Sequence, residues 1–137
     1  MPMDAVAVAR KLKLSGAGSP VVLGASPDDL ATLSSARGDL ATSTNGTHDW
    51  ILLYVESRAA LEAALPAASA ALASPGTLWI AYPKGSSKRQ TDLTRDQGWD
   101  SLKDADLMWL TLVSIDETWS AFSLRHYKSG EARQTFR

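Results

Sequence analysis

Two continuous apolar runs constrain the fold of this chain more than any other feature. Residues 50–55 (WILLYV) and 77–82 (TLWIAY) are each bounded by polar residues, and an alanine-rich segment of helical length separates them. An apolar run without polar alternation is typical of a strand that is covered on both faces. A strand, a helix and a second buried strand form the crossover unit of a parallel sheet, which predicts an α/β domain.

The segment before these runs predicts a further strand and its helix. Residues 21–26 (VVLGAS) form a short apolar run that ends at a glycine. Ser26 is a favoured N-cap residue, and Pro27 suits the first turn of the helix that would follow. We also expect a short helix over residues 5–14 and one short strand over residues 40–43.

Helix signals follow each of the two buried runs. Ser57 is expected to cap the helix between them. Pro66 lacks a backbone N–H and is expected to kink that helix or to divide it. Thr94, with Gln97 three residues later, has the spacing of a capping box and predicts a helix of about ten residues that ends near Lys103.

The last part of the chain predicts an antiparallel hairpin. Residues 109–115 and 119–127 are rich in β-branched and aromatic residues, and the connection between them is too short for a crossover. Residues 128–137 are polar and are expected to form a tail. The whole of residues 1–137 is therefore predicted to be one domain, with a three-layer, Rossmann-like α/β fold, a mostly parallel sheet and a C-terminal antiparallel hairpin.

The charge balance narrows the function classes. The 137 residues contain 14 Lys and Arg against 15 Asp and Glu, for a formal net charge of -1. A general nucleic-acid-binding domain has a broadly basic field, so nucleic acid is not an expected partner. The absence of cysteine excludes disulfides and thiol nucleophiles and fits a reducing cytoplasm. The first residues have the wrong charge order for a signal peptide, and no apolar run is long enough to span a membrane.

Positive charge is concentrated directly after the second buried run. The stretch YPKGSSKRQTDLTRDQGWD, residues 82–100, contains Lys84, Lys88, Arg89 and Arg95. Open α/β sheets bind ligands at the carboxyl ends of their strands, and Lys84 is predicted to lie at such an end. We therefore expect this basic loop to bind an anionic small molecule or an acidic protein partner.

One long stretch has a familiar layout. Residues 49–84, DWILLYVESRAALEAALPAASAALASPGTLWIAYPK, resemble the fourth strand, fourth helix and fifth strand of the Rossmann-like S-adenosylmethionine methyltransferases. The resemblance implies the same sheet, with a ligand crevice at the carboxyl ends of its strands.

The residues that such a cofactor site requires are mostly missing. The site needs a glycine-rich turn after the first strand and an acidic residue after the second. Here the turn contains Gly24 alone, and residues 40–44 (LATST) contain no carboxylate. A phosphate-bearing dinucleotide fits no better, because Asp28 and Asp29 at the start of the helix would repel its phosphates. We therefore expect no bound cofactor of this kind.

Three short strings resemble the shared motifs of a bacterial family of short proteins with no established activity, a domain of unknown function. They are LWIAYPK at residues 78–84, TDLTRDQGW at 91–99 and IDETWSA at 115–121. The resemblance implies a common fold and common motif positions, but no reaction. Arg95 is expected to pair with Asp116 or Glu117 and so to hold the basic loop. Alternatively, the two acids only shape the hairpin connection.

The remaining chemical groups favour structural roles. His48 and His126 are far apart in the sequence and lack metal-ligand spacing, so we expect no metal site and place both on the surface. Core packing is the expected role of the tryptophans, with Trp79 and Trp109 either in the core or half-buried. Trp99 and Trp119 are the two that could instead form an aromatic wall for a ligand.

Two functions remain open from the sequence. The first is a non-enzymatic binding or regulatory module, and the alternative is a small, divergent methyltransferase-like enzyme that acts on an anionic metabolite. An enclosed Glu56 beside a lysine would favour the enzyme, and an exposed Glu56 would favour the module. An apolar hairpin at the sheet edge also makes a homodimer an expectation. The candidate ligand-binding residues are Gly24, Ser26, Glu56, Lys84, Ser86, Lys88, Arg89, Asp92 and Arg95, and the structural-motif residues are Asp116, Glu117 and Trp119.

Overall fold

A computed structural model of the protein describes residues 5–84, 92–94 and 97–132, without the side chains of residues 103 and 104. Its helices are α1 (Ala5–Lys11), α2 (Pro27–Ala36), α3 (Arg58–Ala71) and α4 (Ser101–Ala105), with a 3-10 helix at Leu14–Gly16. Its strands are β1 (Pro20–Leu23), β2 (His48–Tyr54), β3 (Leu72–Pro83), β4 (Leu107–Ser114) and β5 (Trp119–His126). No helix in these ranges is long and apolar enough to cross a membrane.

The strands form one sheet in the order β1-β2-β3-β5-β4. The first three strands are parallel, and β5 and β4 add an antiparallel hairpin. The sheet is mixed, and its three parallel strands with the terminal antiparallel hairpin confirm the predicted fold class.

The strand expected at residues 40–43 is reduced to a single contact. Ala41 forms one parallel bridge to Val21 on the outer side of β1. Its amide donates to Pro20 O at 3.1 Å, and its carbonyl accepts from Val22 N at 2.8 Å. The chain therefore passes outside β1 before it crosses to β2 on the other side. This reversal makes a topological switch point between β1 and β2, where open α/β sheets bind ligands.

Both faces of the sheet are covered, as continuous apolar strands require. In β2, the side chains of Trp50, Leu52 and Tyr54 pack with α1 and α2. The alternate side chains Ile51 and Leu53 pack with α3 and α4 on the other face. The strand is therefore buried from Trp50 to Tyr54, and the three-layer prediction is confirmed.

The predicted caps of α2 and α3 are present. The Ser26 hydroxyl accepts a hydrogen bond from Asp29 N, and the Ser57 hydroxyl accepts one from Ala60 N, each at 3.1 Å. Pro66 lies inside α3, which nevertheless runs unbroken to Ala71. Of the two predicted outcomes, the division of this helix into two segments is therefore wrong, and the kink stays a prediction.

The helix predicted to begin at Thr94 is also wrong. Thr94 and Gln97 bond to each other through their backbones in a tight turn, at 3.1 and 3.4 Å, and α4 begins only at Ser101. Gly98 has a φ of +96°, which a right-handed helix cannot contain. The turn instead directs Trp99 into the core, where it is fully buried.

Trp99 attaches the segment of residues 97–99 to the sheet. Its indole Nε1–H donates to Thr94 O at 2.6 Å. Its ring meets Tyr82 and Phe122 edge to face, with ring centroids 5.2 Å apart in both pairs. Edge-to-face packing of this kind stabilises aromatic clusters beyond simple burial. The core role expected for Trp99 is confirmed.

The described part of the predicted polar tail is anchored to β5. Both Glu131 carboxylate oxygens accept from the Arg125 guanidinium, each at 2.8 Å. The Lys128 amide donates to the same carboxylate. These hydrogen bonds, with that of Arg125 foremost, lower the pKa of Glu131 from 4.5 to about 2.

We expect carboxyl-carbon NMR to measure this low pKa directly. Because the folded pKa is depressed, the interaction stabilises the fold above pH 4.5 and is lost as the pH falls towards 2. In an Arg125→Met variant the Glu131 pKa should return towards its ordinary value. An ordinary pKa in the unmodified protein, or a low one that survives the substitution, would contradict the bidentate pair.

Candidate functional site

The ends of the three parallel strands lie at one edge of the sheet, here called the carboxyl edge. Gly24–Ser26 follow β1, Glu56 follows β2, and Lys84 follows β3. Pro83 pairs with Trp119 at the start of β5. The hairpin turn that precedes Trp119 is therefore brought to the same edge.

Gly24 lies at the switch point, where the backbone conformation requires a glycine. Its φ is +76°, a region that residues with a Cβ adopt only with strain. A Cβ at this position would also lie 2.7 Å from Tyr54 O. The first loop thus packs its backbone directly against the end of β2.

At the start of α2, side chains of the chain itself take the places that a ligand would use. The Ser26 hydroxyl caps the helix, so this predicted ligand-binding residue has a structural partner. Asp28 and Asp29 lie in the first turn, where the helix dipole favours negative charge. The same carboxylates oppose an anionic ligand at this helix end.

Glu56 is exposed rather than enclosed. It follows the last residues of β2 at the carboxyl edge, beside Ser57, whose hydroxyl caps α3. By the criterion set from the sequence, an exposed Glu56 favours binding over catalysis.

Two lysines from distant parts of the chain meet at one serine. Lys84 Nζ donates to Ser114 Oγ at 2.5 Å, and Lys11 Nζ donates to Ser114 O at 3.1 Å. Lys84 N also donates to Thr118 O at 2.8 Å, which ties the end of β3 to the hairpin turn. The sequence indicated Lys84 but not Lys11, because nothing local in α1 points to Ser114.

Asp92 has a different role from the one predicted. The sequence predicts Asp92 in a ligand site. Instead its Oδ1 accepts from Arg58 N at 2.8 Å and so satisfies a free amide at the start of α3. The Arg58 guanidinium in turn pairs with Glu62 at 3.0 Å and with Asp100 at 2.6 Å. Asp92 therefore holds the segment of residues 92–94 against the start of α3.

The hairpin turn is shaped by Asp116, as one of the two sequence alternatives predicted. Asp116 Oδ1 accepts from Thr118 N and from Trp119 N, each at 2.8 Å. Trp119 is buried and meets the Tyr54 ring edge to face, with centroids 5.0 Å apart. Glu117 is exposed. Trp119 thus belongs to the core rather than to an open ligand wall.

The described parts of the strings TDLTRDQGW and IDETWSA pack on opposite faces of the sheet. Leu93 belongs to the core on the α3 side, whereas Trp119 belongs to the core on the α1 and α2 side. Ser86, Lys88, Arg89 and Arg95 lie outside the described residues. The pairing of Arg95 with the hairpin acids therefore stays a prediction.

Tyr54 carries a polar group that no sequence signal marked. Its hydroxyl is buried and has no hydrogen-bond partner among the described residues. Burial raises the pKa of this phenol well above its ordinary value, and the charges of Asp29 and Asp116 raise it further. Tyr54 therefore stays protonated at neutral pH and is not available as a base.

The surface position expected for His48 is wrong. His48 begins β2 and is buried. Its Nε2 accepts from Asn45 N at 2.9 Å, so Nδ1 carries the proton and faces Ser19 O at 3.1 Å. Both ring nitrogens thus hold neighbouring backbone at the amino end of the strand, far from the carboxyl edge.

His126 is half-buried on β5, which is an inner strand and not the expected sheet edge. Its Nε2 donates to Leu72 O at 3.0 Å, since a carbonyl can only accept. This histidine, like His48, ties strands together.

A second concave region was not indicated by the sequence. A groove of about 640 Å³ lies between α3 and α4, lined by Leu65, Pro66 and Ala105 together with Glu62 and Asp100. None of the described residues predicted for the ligand site lines this groove.

The similarity of this protein to known proteins lies in its structure. No family model matches the chain, and no curated protein sequence matches it. A tRNA methyltransferase from B. subtilis is 10% identical, with a TM-score of 0.55, over 93% of this chain and 67% of that one. The ribosomal protein L11 methylase from Lactobacillus delbrueckii subsp. bulgaricus is 12% identical, with a TM-score of 0.52, over 90% and 67%.

The fold is methyltransferase-like. A protein of the NADB-Rossmann superfamily from Streptococcus agalactiae is similar to the same extent, with a TM-score of 0.55 and 9% identity over 98% of this chain and 71% of that one. At such identities the likeness is one of architecture.

The methyltransferase-like fold implies S-adenosylmethionine, and the described residues do not fit it in the usual way. The single glycine of the first loop is used for close packing on Tyr54 O. The Ser26 hydroxyl is used as a cap. The chain after the Ala41 bridge offers hydroxyls from residues 42–44 but no carboxylate for a ribose.

A Gly24→Ala substitution tests how tightly the switch point is packed. We expect a loss of about 1–3 kcal/mol in the free energy of unfolding, because the new Cβ meets Tyr54 O and the positive φ becomes strained. Urea denaturation followed by circular dichroism measures the change. Gly38→Ala is the matched control, since open space surrounds Gly38, and should be neutral or slightly stabilising. Equal stability of the two variants would contradict the close approach.

A Tyr54→Phe substitution tests the buried hydroxyl. Removing an unpartnered buried donor should leave the fold as stable as before or raise its free energy of unfolding by about 1 kcal/mol. Urea denaturation followed by circular dichroism measures this change in the free energy of unfolding. A clear loss of stability would show instead that the hydroxyl makes a stabilising hydrogen bond.

Proposed function

We propose that the protein is a small, divergent methyltransferase-like enzyme that acts on an anionic small molecule at the carboxyl edge of its sheet. The observation that carries the proposal is the meeting of Lys11 and Lys84 at Ser114, beside the hairpin turn. The methyltransferase-like fold supports an enzyme more than a purely structural module.

The charges at the carboxyl edge favour an anion that binds near Lys84 and not at the start of α2. Two ammonium groups within hydrogen-bonding distance of one residue create a local positive potential in a protein whose net charge is only -1. The acids in the first turn of α2 create the opposite potential at Ser26. An anionic group should therefore bind on the Lys84 side, between the end of β3 and the hairpin.

Each described residue has a limited chemical role in this proposal. Lys84 and Lys11 neutralise the anion, and the Ser114 hydroxyl can turn towards it as a further donor. Tyr54 remains protonated, and its hydroxyl is buried, so it is given no role towards the substrate. No transfer step is assigned, because the first loop does not fit the usual methyl donor.

The second candidate is a non-enzymatic binding or regulatory module. The observation that favours it is that Glu56 is exposed, while Ser26 and Asp92 serve as helix caps. The same lysines would then bind an anionic ligand without changing it. The two candidates share the site and differ in whether the ligand is converted.

A thermal-shift screen with phosphorylated and carboxylated metabolites, nucleotides and S-adenosylmethionine tests the site. A binding anion should raise the melting temperature of the unmodified protein. Lys84→Met and Lys11→Met should each weaken binding about 10- to 100-fold, because each removes one charged hydrogen-bond donor. Lys128→Met makes the same charge change beyond the opposite end of the sheet and should bind normally.

The outcomes separate the proposals. Mass spectrometry of the incubated ligand shows conversion if the protein is an enzyme and an unchanged ligand if it is a module. Stabilisation by S-adenosylmethionine that both lysine variants retain would place the ligand elsewhere. No stabilisation by any anion would overturn the site itself.

A further inference from the structure

The groove between α3 and α4 is large enough for a small molecule. Its volume of about 640 Å³ lies within the range of about 300–1,000 Å³ that is typical of small-molecule sites. It lies on the α3 side of the sheet, away from α1 and α2. The groove shares no described residue with the site around Lys84.

One face of α3 forms the first wall of the groove. Residues three and four positions apart share a face of a helix, and the lining residues of α3 have this spacing. They are Glu62, Leu65, Pro66, Ser69 and Ala70. The wall therefore passes from a charged end at Glu62, across an apolar middle, to small residues at Ser69 and Ala70.

The short helix α4 forms the second wall, with Ser101 and Ala105 four residues apart. Between them Leu102 is fully buried in the core, which holds α4 against the sheet. Ser69 Oγ donates a long hydrogen bond of 3.5 Å to Ala105 O. The space between the helices is therefore bounded by two elements that are fixed in position.

Two acceptors in the walls lack their usual donors. Pro66 has no N–H, so the Glu62 carbonyl, four residues earlier, has no donor at the usual helical position. The Ser101 hydroxyl oxygen is buried and has no hydrogen-bond partner among the described residues. Buried polar groups are normally hydrogen-bonded, so a ligand with N–H groups suits these walls.

The charged end of the groove has an excess of negative charge. The Arg58 guanidinium lies 3.0 Å from the Glu62 carboxylate and 2.6 Å from that of Asp100. Two carboxylates thus share one cation, and no described basic side chain lines the groove. The three side chains are 44%, 49% and 53% exposed, so water weakens the attraction for a further cation without removing it.

We propose that this groove binds a small molecule that has an apolar body and one ammonium group. Leu65, Pro66 and Ala105 cover the apolar body, which supplies most of the affinity. The ammonium group lies beside Glu62 and Asp100, which select a cation over an anion. The site does not depend on the proposed function, because its residues are different.

Three indole compounds of similar size test the charge preference. Tryptamine has an ammonium group, tryptophol a hydroxyl and indolepropionate a carboxylate. Titration into isotope-labelled protein, followed by amide NMR, gives each dissociation constant and shows which amides shift. Tryptamine should shift amides of α3 and α4 and bind about two- to fivefold more tightly than tryptophol, with indolepropionate the weakest. Equal binding of all three, no binding, or shifts confined to other elements would overturn the proposal.

A substitution that fills the groove tests its location. Ala70 is exposed and lines the groove, so Ala70→Phe should block the space and abolish detectable tryptamine binding. Ala63→Phe is the matched control, because Ala63 is also exposed on α3 but does not line the groove. Circular dichroism shows that both variants are folded. Tryptamine binding that Ala70→Phe retains would place the ligand elsewhere and refute the site.

Charge variants test the selectivity. Glu62→Gln and Asp100→Asn should each reduce the preference for tryptamine over tryptophol, whereas Arg58→Gln removes the competing cation and should increase it. Asp28→Asn makes the same charge change on α2, on the opposite face, and should have no effect. Lys84→Met should also leave tryptamine binding unchanged, so this site and the carboxyl-edge site are tested separately. A preference that survives both carboxylate substitutions would contradict the role of these two residues.

Discussion

The pairing of β2 with β3 is the constraint on which the rest of the structure depends. The two strands align Leu52 with Trp79 and Leu53 with Ile80, and all four side chains are buried. Because successive residues face opposite sides, this one register supplies apolar surface to both helical layers. A slip by one residue would exchange the two faces and leave each helix against the wrong side chains.

The same pairing places the candidate site. Parallel strands end at a common edge, so Gly24, Glu56 and Lys84 are brought together by topology rather than by nearness in sequence. The antiparallel pairing of β3 with β5 then sets the hairpin turn beside Lys84. The Lys84 ammonium, the Ser114 hydroxyl and the hairpin turn thus lie at one edge of the sheet. The acids in the first turn of α2 lie on the other side of the switch point.

Features that depend on neighbouring residues were predictable from the sequence. The caps at Ser26 and Ser57 need only a hydroxyl near the first free amides of the helix, and both are present. The hairpin turn at Asp116 likewise forms within four residues. The Thr94 and Gln97 pattern failed because a competing long-range contact was stronger. Burying Trp99 among aromatic rings outweighed the local preference for a helix.

The sequence by itself determined the two buried strands, their connecting helix and the terminal hairpin, because apolar patterning and turn chemistry act over a few residues. Only the tertiary structure decided which charged groups meet. Lys11 and Ser114 are 103 positions apart, and Asp92 caps a helix that begins 34 positions before it. Such contacts follow from strand order and register, and no local pattern encodes them. Which chemical groups lie at the carboxyl edge therefore depends on strand order and register. The strands themselves form from apolar patterns that are visible in the sequence.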